Sequence, residues 1–265
     1  MILDDIIALR RQDLERSRGA VPRSLMEKII AAKPPARDFR AALRQEGTVS
    51  VIAEIKRASP TKGDLRPDLD PRWLGPVYEA HGAAAISVLT ETRHFKGSMN
   101  DLAQVHSLTT IPTLRKDFIV DEYQILEARS RNADALLLIV AALSQVELEH
   151  FLRLTEMLGL QALVEIHTVE EAERALAAEA TIIGINNRDL NTFTVDLNTT
   201  ERLLGYLPQG LTVVSESGIK SGADVRRVGE WGAHAVLVGE AIVSAADPGA
   251  ALQELVEAGK TLHAR

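Results

Sequence analysis

The chain has 265 residues, 46% of them hydrophobic and 25% charged, and no cysteine. That composition excludes intrinsic disorder, a fibrous architecture and any disulfide, iron–sulfur or thiolate–zinc framework. Thirty basic residues against 37 acidic ones leave a net charge of −7, which disfavours a nucleic-acid or anionic-membrane surface.

Residues 1–48 stand apart from the rest. Asp4 and Asp5 fall where a signal peptide would carry basic residues. Ile2, Ile6, Leu9 and Leu14 are spaced as one helix face, and 25–32 reads as a second helix ending at Pro34-Pro35. This segment is expected to be an N-terminal helical extension packed on a larger domain spanning 49–265, with no catalytic site of its own. The longest apolar run, 135–143, is about half of what a membrane-spanning helix needs, so a cytoplasmic protein is expected.

From residue 49 onward two patterns alternate. Short runs rich in Val, Ile, Leu and Ala predict strands at 49–55, 84–89, 110–115, 135–140, 160–166, 181–185, 211–215 and 235–238. Their near-continuous apolar character is that of parallel strands buried on both faces. Between them, helical spacing predicts helices at 71–81, 101–107, 122–131, 145–158, 169–178, 200–206, 223–231 and 249–258. Ser144 with Glu147 and Thr168 with Glu171 read as capping boxes, and Pro71 as a first-turn proline. Eight strands alternating with eight helices predict an α/β fold, a single closed (β/α)8 TIM barrel. The G-x-G-x-x-G turn, the P-loop and the G-x-S-x-G elbow are absent.

In such barrels the chemistry sits at the C-terminal strand ends, and five of those ends here are rich in ionisable or amide groups. They are Glu54-Ile55-Lys56-Arg57, Arg115-Lys116-Asp117-Phe118, Glu165-Ile166-His167, Asn186-Asn187-Arg188-Asp189 and Ser215-Glu216-Ser217-Gly218. The strand period of two puts Glu54 and Lys56 on one face with Ala53 and Ile55 on the other, and sets Glu165 with Leu163. Lysines from the first and third strands are thus expected to meet carboxylates from the first, fifth and seventh, each shifting the others' proton affinity. A single such lysine or Lys–Glu pair has an equally good structural reading; the set does not, because barrel layers are normally apolar. Gly218 and Gly239, after the seventh and eighth strands, fit a phosphate cradle of backbone N–H groups, although tight turns alone would also call for glycine. Phe95, Phe118 and Phe193 follow strands and either wall an apolar pocket or pack on the rim. His81, His94, His106, His150, His167, His234 and His263 show no H-x-H or H-x-x-x-H pairing. No metal site is therefore expected, and His167 reads as a loop or cap neighbour.

Several segments resemble the signatures of the indole-3-glycerol-phosphate synthase family. They are Glu54-Ile55-Lys56-Arg57-Ala58-Ser59-Pro60, Ser87-Val88-Leu89-Thr90-Glu91, Leu114-Arg115-Lys116-Asp117-Phe118-Ile119, Leu163-Val164-Glu165-Ile166-His167, Gly184-Ile185-Asn186-Asn187-Arg188-Asp189-Leu190 and Val214-Ser215-Glu216-Ser217-Gly218-Ile219. The likeness runs from about residue 2 to residue 258. It implies a cofactor-free carboxy-lyase of tryptophan biosynthesis acting on 1-(2-carboxyphenylamino)-1-deoxyribulose 5-phosphate, a sugar-phosphate substrate, with room for association with other tryptophan-pathway enzymes. By the same resemblance Lys116 is the general acid and Glu165 the general base, while Glu54 and Lys56 position substrate and assist proton transfer. Asn186, Arg188 and Glu216 hold hydroxyl or carboxylate groups; Ser217, Gly218 and Gly239 hold phosphate; Ser59 and Phe118 complete the binding surface. Two positions depart from the family pattern: Thr61 replaces a usual serine, and Glu240 stands where many members have a small polar residue. An acid beside a phosphate is unfavourable, so the Glu240 side chain is expected to point away.

Two other functions fit the residues alone. Lys56 or Lys116 could serve as a Schiff-base nucleophile, as in a barrel aldolase, or the barrel could bind a sugar phosphate without catalysis. The mixed-sign set of Glu54, Lys56, Lys116 and Glu165 argues against simple binding, which needs fewer groups.

Overall fold

A computed structural model describes residues 2–190 and 192–260. Eight parallel strands close into a barrel in which every strand pairs with its sequence neighbours and the last pairs with the first. They are β1 (Ser50–Ile55), β2 (Ala85–Leu89), β3 (Thr113–Lys116), β4 (Ala135–Ile139), β5 (Gln161–Ile166), β6 (Ile182–Asn186), β7 (Thr212–Glu216) and β8 (Ala235–Val238). The α/β (β/α)8 architecture expected from the alternation is thus present. The 49–265 span runs past the described residues, and His263 lies outside them.

The strand period sorts side chains into two cores. Val51, Ala53, Ile55, Val164, Ile166, Ile183, Ile185 and Val236 face outward and pack against the helices. Ile52, Leu114, Leu137, Leu163, Ile182, Val214 and Leu237 face inward and fill the cylinder. Within it β1, β3, β5 and β7 follow one rule: an inward apolar residue (Ile52, Leu114, Leu163, Val214) is succeeded two positions later by an ionisable one (Glu54, Lys116, Glu165, Glu216). Alternate strands supply each layer of such a barrel, so one layer of four is apolar and the next toward the mouth is charged.

Eight helices cover the strands: Pro71–Ala80, Met99–Leu108, Glu122–Ser130, Gln145–Met157, Val169–Ala177, Asn198–Leu204, Gly222–Glu230 and Pro248–Lys260. The Ser144–Glu147 capping box forms. At Thr168 only half of the expected box is made: the hydroxyl accepts from the Glu171 N–H, while the Glu171 carboxylate accepts from the His167 N–H and ring instead. A further box, Ser221 with Asp224, was not read from sequence because Asp takes the place of the usual Glu or Gln. The strand expected at 110–115 begins only at Thr113, since Pro112 has no N–H to give to the ladder.

The residues before β1 close both ends of the cylinder. Helix Ile2–Ala20 lies against the mouth, held by Arg10–Asp117 at 2.5 Å, Arg93–Asp13 at 2.5 Å and Arg18–Asp121 at 2.6 Å. Its buried face carries Ile6, Arg10 and Leu14; Leu9 is only half-buried, and the side chain of Ile2 lies outside the described residues. Helix Arg23–Ala31 matches the predicted second helix. A third, Phe39–Leu43, was not predicted: Asp38 caps it, and Phe39 and Leu43 plug the far end of the barrel against its inner core.

Candidate active site

The charged layer opens into a cavity of about 670 Å³ at the C-terminal ends of the strands. All twelve residues singled out from sequence line it: Glu54, Lys56, Ser59, Lys116, Phe118, Glu165, Asn186, Arg188, Glu216, Ser217, Gly218 and Gly239. Lys116 stands between two carboxylates, its Nζ 3.6 Å from Glu165 Oε2 and 3.4 Å from Glu216 Oε2. Lys56 Nζ is 2.7 Å from Glu54 Oε1. Glu54, Glu165 and Glu216 are buried.

Glycines make room for these acids. A Cβ on Gly184, in β6, would overlap Glu216 Oε1, and one on Gly239, just after β8, would overlap Glu54 Oε1. Carboxylates from β7 and β1 therefore occupy the space that side chains of the even-numbered strands would have filled. Gly239 was read from sequence as a phosphate or turn residue, and this second demand on it was not.

Buried like charges cannot all titrate normally. Burial lowers the proton affinity of Lys116, but Glu216, Glu165 and Glu54 outweigh it and hold the ammonium above the ordinary lysine range. Burial raises Glu165, yet Lys116 and His167 bring its carboxyl below the usual range. Glu216 goes the other way: burial and the charges of Glu165 and Glu54 push it up against the pull of Lys116. Neither Glu216 oxygen has a hydrogen-bond partner among the described residues. The layer thus holds a cationic proton donor, an ionised acceptor and a third carboxyl that retains its proton more readily than the others.

Around this set the cavity divides by polarity. Ser217 and Gly218 turn with φ of 64° and 88°; a Cβ at position 218 would lie 2.6 Å from Val195 Cγ1, so both space and conformation call for glycine. Gly239 precedes the short helix Glu240–Val243. The Glu240 carboxylate reaches Lys62 at 2.8 Å, and that pairing holds it below the usual range. Lys62 sits in the turn of a small antiparallel ribbon after β1, Ala58–Ser59 against Gly63–Asp64, where its N–H donates to Ser59 Oγ at 3.2 Å. Asn186 accepts from the Arg188 N–H at 3.0 Å.

The apolar wall is made by Phe95 and Phe118, with ring centroids 6.2 Å apart, together with Phe193, Leu190 and two residues of the first helix, Leu3 and Ile6. The extension thus contributes two apolar side chains to the wall of the cavity. His167 is a residue that sequence reading undervalued: its ring lies between Glu165 and Glu171. Among the described residues no helix is long and apolar enough to cross a membrane.

Residues 3–255 match the model of the family described as indole-3-glycerol phosphate synthase. The protein of that name from Roseiflexus sp. (strain RS-1) is 48% identical over 262 residues, covering 96% of this chain and 97% of its own. The one from Carboxydothermus hydrogenoformans is 46% identical over 263 residues, covering 97% and 100%. Among solved structures, 3-hexulose-6-phosphate synthase from Salmonella typhimurium superposes with a TM-score of 0.66 at 14% identity, covering 81% of this chain and 100% of its own. Thiamine phosphate pyrophosphorylase from Pyrococcus furiosus superposes with a TM-score of 0.62 at 18% identity, covering 85% and 100%. These two likenesses are of fold alone.

Proposed function

The chain belongs to the indole-3-glycerol phosphate synthase family, and on that premise we propose how its side chains share the closure of an indole ring. The substrate is 1-(2-carboxyphenylamino)-1-deoxyribulose 5-phosphate; the products are indole-3-glycerol phosphate, carbon dioxide and water. As the carboxylated aromatic carbon attacks the ketone, Lys116 gives a proton to the carbonyl oxygen and its charge stabilises the developing alkoxide. Departure of carbon dioxide restores the aromatic ring. Lys56 then protonates the hydroxyl, which leaves as water while Glu165 takes a proton from the sugar-derived carbon bonded to the nitrogen. Glu54 fixes Lys56, and the pair positions substrate and assists proton transfer. Asn186, Arg188 and Glu216 hold hydroxyl and carboxylate groups, Ser217, Gly218 and Gly239 hold the phosphate, and Ser59 and Phe118 complete the binding surface.

The observation that carries this reading is the placement of Lys116 Nζ 3.6 Å from Glu165 Oε2, within the cavity that Ser217, Gly218 and Gly239 also line. Donors and an acceptor supplied by different strands can move these protons. At Lys116 the Schiff-base alternative fares worse, because a nucleophilic lysine needs a depressed proton affinity and that of Lys116 is raised; for Lys56 the borohydride test below decides.

The test adds the carboxyphenylamino ribulose phosphate to purified protein and follows indole absorbance. Lys116→Ala should lower turnover by about 10²–10⁴-fold, the usual contribution of one acid–base group; near-wild-type turnover would refute the assignment. Unchanged protein mass after borohydride treatment with substrate is the expected companion result. The proposal includes a cytoplasmic setting and contact with other tryptophan-pathway enzymes, for which co-purification from cell extract is the check.

A further inference from the structure

His167 follows Glu165 by two residues, just past the end of β5, and turns its ring toward that carboxylate. Its Nδ1 lies 3.0 Å from Glu171 Oε2, and its Nε2 lies 3.4 Å from Glu165 Oε1. The side chain is 9% exposed. Nε2 is buried and has no hydrogen-bond partner among the described residues; its 3.4 Å approach to Glu165 Oε1 is that of an ion pair. The two oxygens of Glu165 thus face different cations, Oε1 toward His167 and Oε2 toward Lys116.

We propose that His167 is a positioning residue for Glu165: an imidazolium bridging Glu171 and Glu165, it fixes one carboxyl oxygen and leaves the other free for Lys116 and the substrate. The inference rests on the reading of Glu165 as the base and adds the group that orients and ionises it. Three charged groups face the ring or its partner carboxylate: Glu165 from β5, Glu171 from the helix that follows, and Lys116 from β3. Burial disfavours the charged ring, but the two flanking acids outweigh it and push His167 up to about 10. The cation in turn favours the ionised form of Glu165, which a base requires.

A purely structural role is the competing account, because Glu171 also accepts the His167 backbone N–H at 2.7 Å. That bond anchors the loop without any help from the ring. The ring's second nitrogen, directed at the acceptor, has no use in loop anchoring.

The experiment has three readouts on the full-length protein. In the wild type, imidazole ¹⁵N shifts assigned through the His167 backbone should show an imidazolium at pH 7.5; a neutral ring there overturns the proposal. In His167→Asn, the ¹³C shift of the Glu165 carboxyl should titrate about one unit higher, the effect of removing an adjacent opposite charge; an unmoved midpoint overturns it, even if thermal stability falls. On the acid side of the rate profile, where rate follows the ionised fraction, that displacement lowers kcat about tenfold, with KM held within about twofold. Glu171→Gln, which keeps the hydrogen-bonding shape, should move the His167 midpoint down and the Glu165 midpoint up by a smaller amount. Should His167→Asn not fold, the wild-type ring charge and the Glu171→Gln titration decide the matter. Failure of the underlying reading is recognised separately: Glu165→Gln would then turn over substrate like the wild type, whatever the state of His167.

Discussion

Gly184→Ala is expected to damage catalysis while leaving the barrel folded, although position 184 bears no functional group. The added methyl would project from β6 into the charged layer, overlapping Glu216 Oε1 and lying 3.2 Å from its Cδ and 3.3 Å from Leu163 Cδ1. Ordinary contact begins at 3.4 Å, so the Glu216 carboxyl must retreat by about 1 Å to restore normal packing distances. It cannot move without changing its 3.4 Å separation from Lys116. A displacement of that size at a reacting constellation costs about 10²-fold in rate, whereas overpacking one methyl costs about 1–3 kcal/mol of stability. Steady-state indole formation and urea unfolding, measured on the same preparation, separate the two effects. Gly19→Ala is the control: its methyl would meet nothing within 4 Å, and alanine favours the helix by about 0.5–1 kcal/mol. A folded Gly184→Ala protein with kcat within twofold of wild type would show that Glu216 tolerates displacement, and the account of this glycine would be wrong.

Arg10→Ala should destabilise the protein by about 3 kcal/mol in urea, the lower end for breaking a buried pair, because Asp117 keeps Arg115 and the Thr90 hydroxyl; no change in midpoint would mean the first helix is not clamped there. Stability should also fall in acid: burial raises Asp117 and Asp134, but Arg115 and Arg10 outweigh it for the first, and His106 with the Arg37 and Thr113 N–H groups for the second, leaving both lowered. Their contribution is therefore complete above the unfolded value near 3.9 and is lost as pH drops through the folded values, and Asp134→Asn should flatten the slope of unfolding free energy below pH 4. Glu240→Ser should lower KM about fivefold by removing a carboxylate near Lys62, Lys56 and Arg188, on the order of 1 kcal/mol at a partly exposed site. Its thermal midpoint should scarcely move, since an exposed pair contributes about 0–1 kcal/mol; an unchanged or raised KM would mean the acid does not oppose the anion.

What the sequence makes legible follows from periodicity. A buried parallel strand is apolar at every position, so the runs ending at Ile55, Ile166 and Val238 announce themselves. The polar residues interrupting such runs stand out for the same reason, which is why Glu54, Lys116, Glu165 and Glu216 were found and their shared face inferred. Residues whose reason for being there lies across the barrel are not legible. Gly184 looks like any strand glycine until Glu216 of the next strand is seen to fill its place. The helix Phe39–Leu43 spans five residues, too few for a helical period to register, and its apolar pair acquires meaning only against the inner core. Arg10 reads as one more exposed cation on a charged helix until Asp117, 107 positions away in sequence, is found beneath it. His167 combines both situations. It lies just past the strand and reads as a loop or cap neighbour, and the acid on its other side, Glu171, reads as part of a capping box. That carboxylate had two candidate N–H partners one residue apart, Thr168 and His167. A local rule chooses the former, whereas the structure gives it to His167, whose ring also offers a second donor to the same oxygen. The local motif thus gave way where a residue with two donors competed for the same carboxylate, and the residue that won is the one adjoining the base.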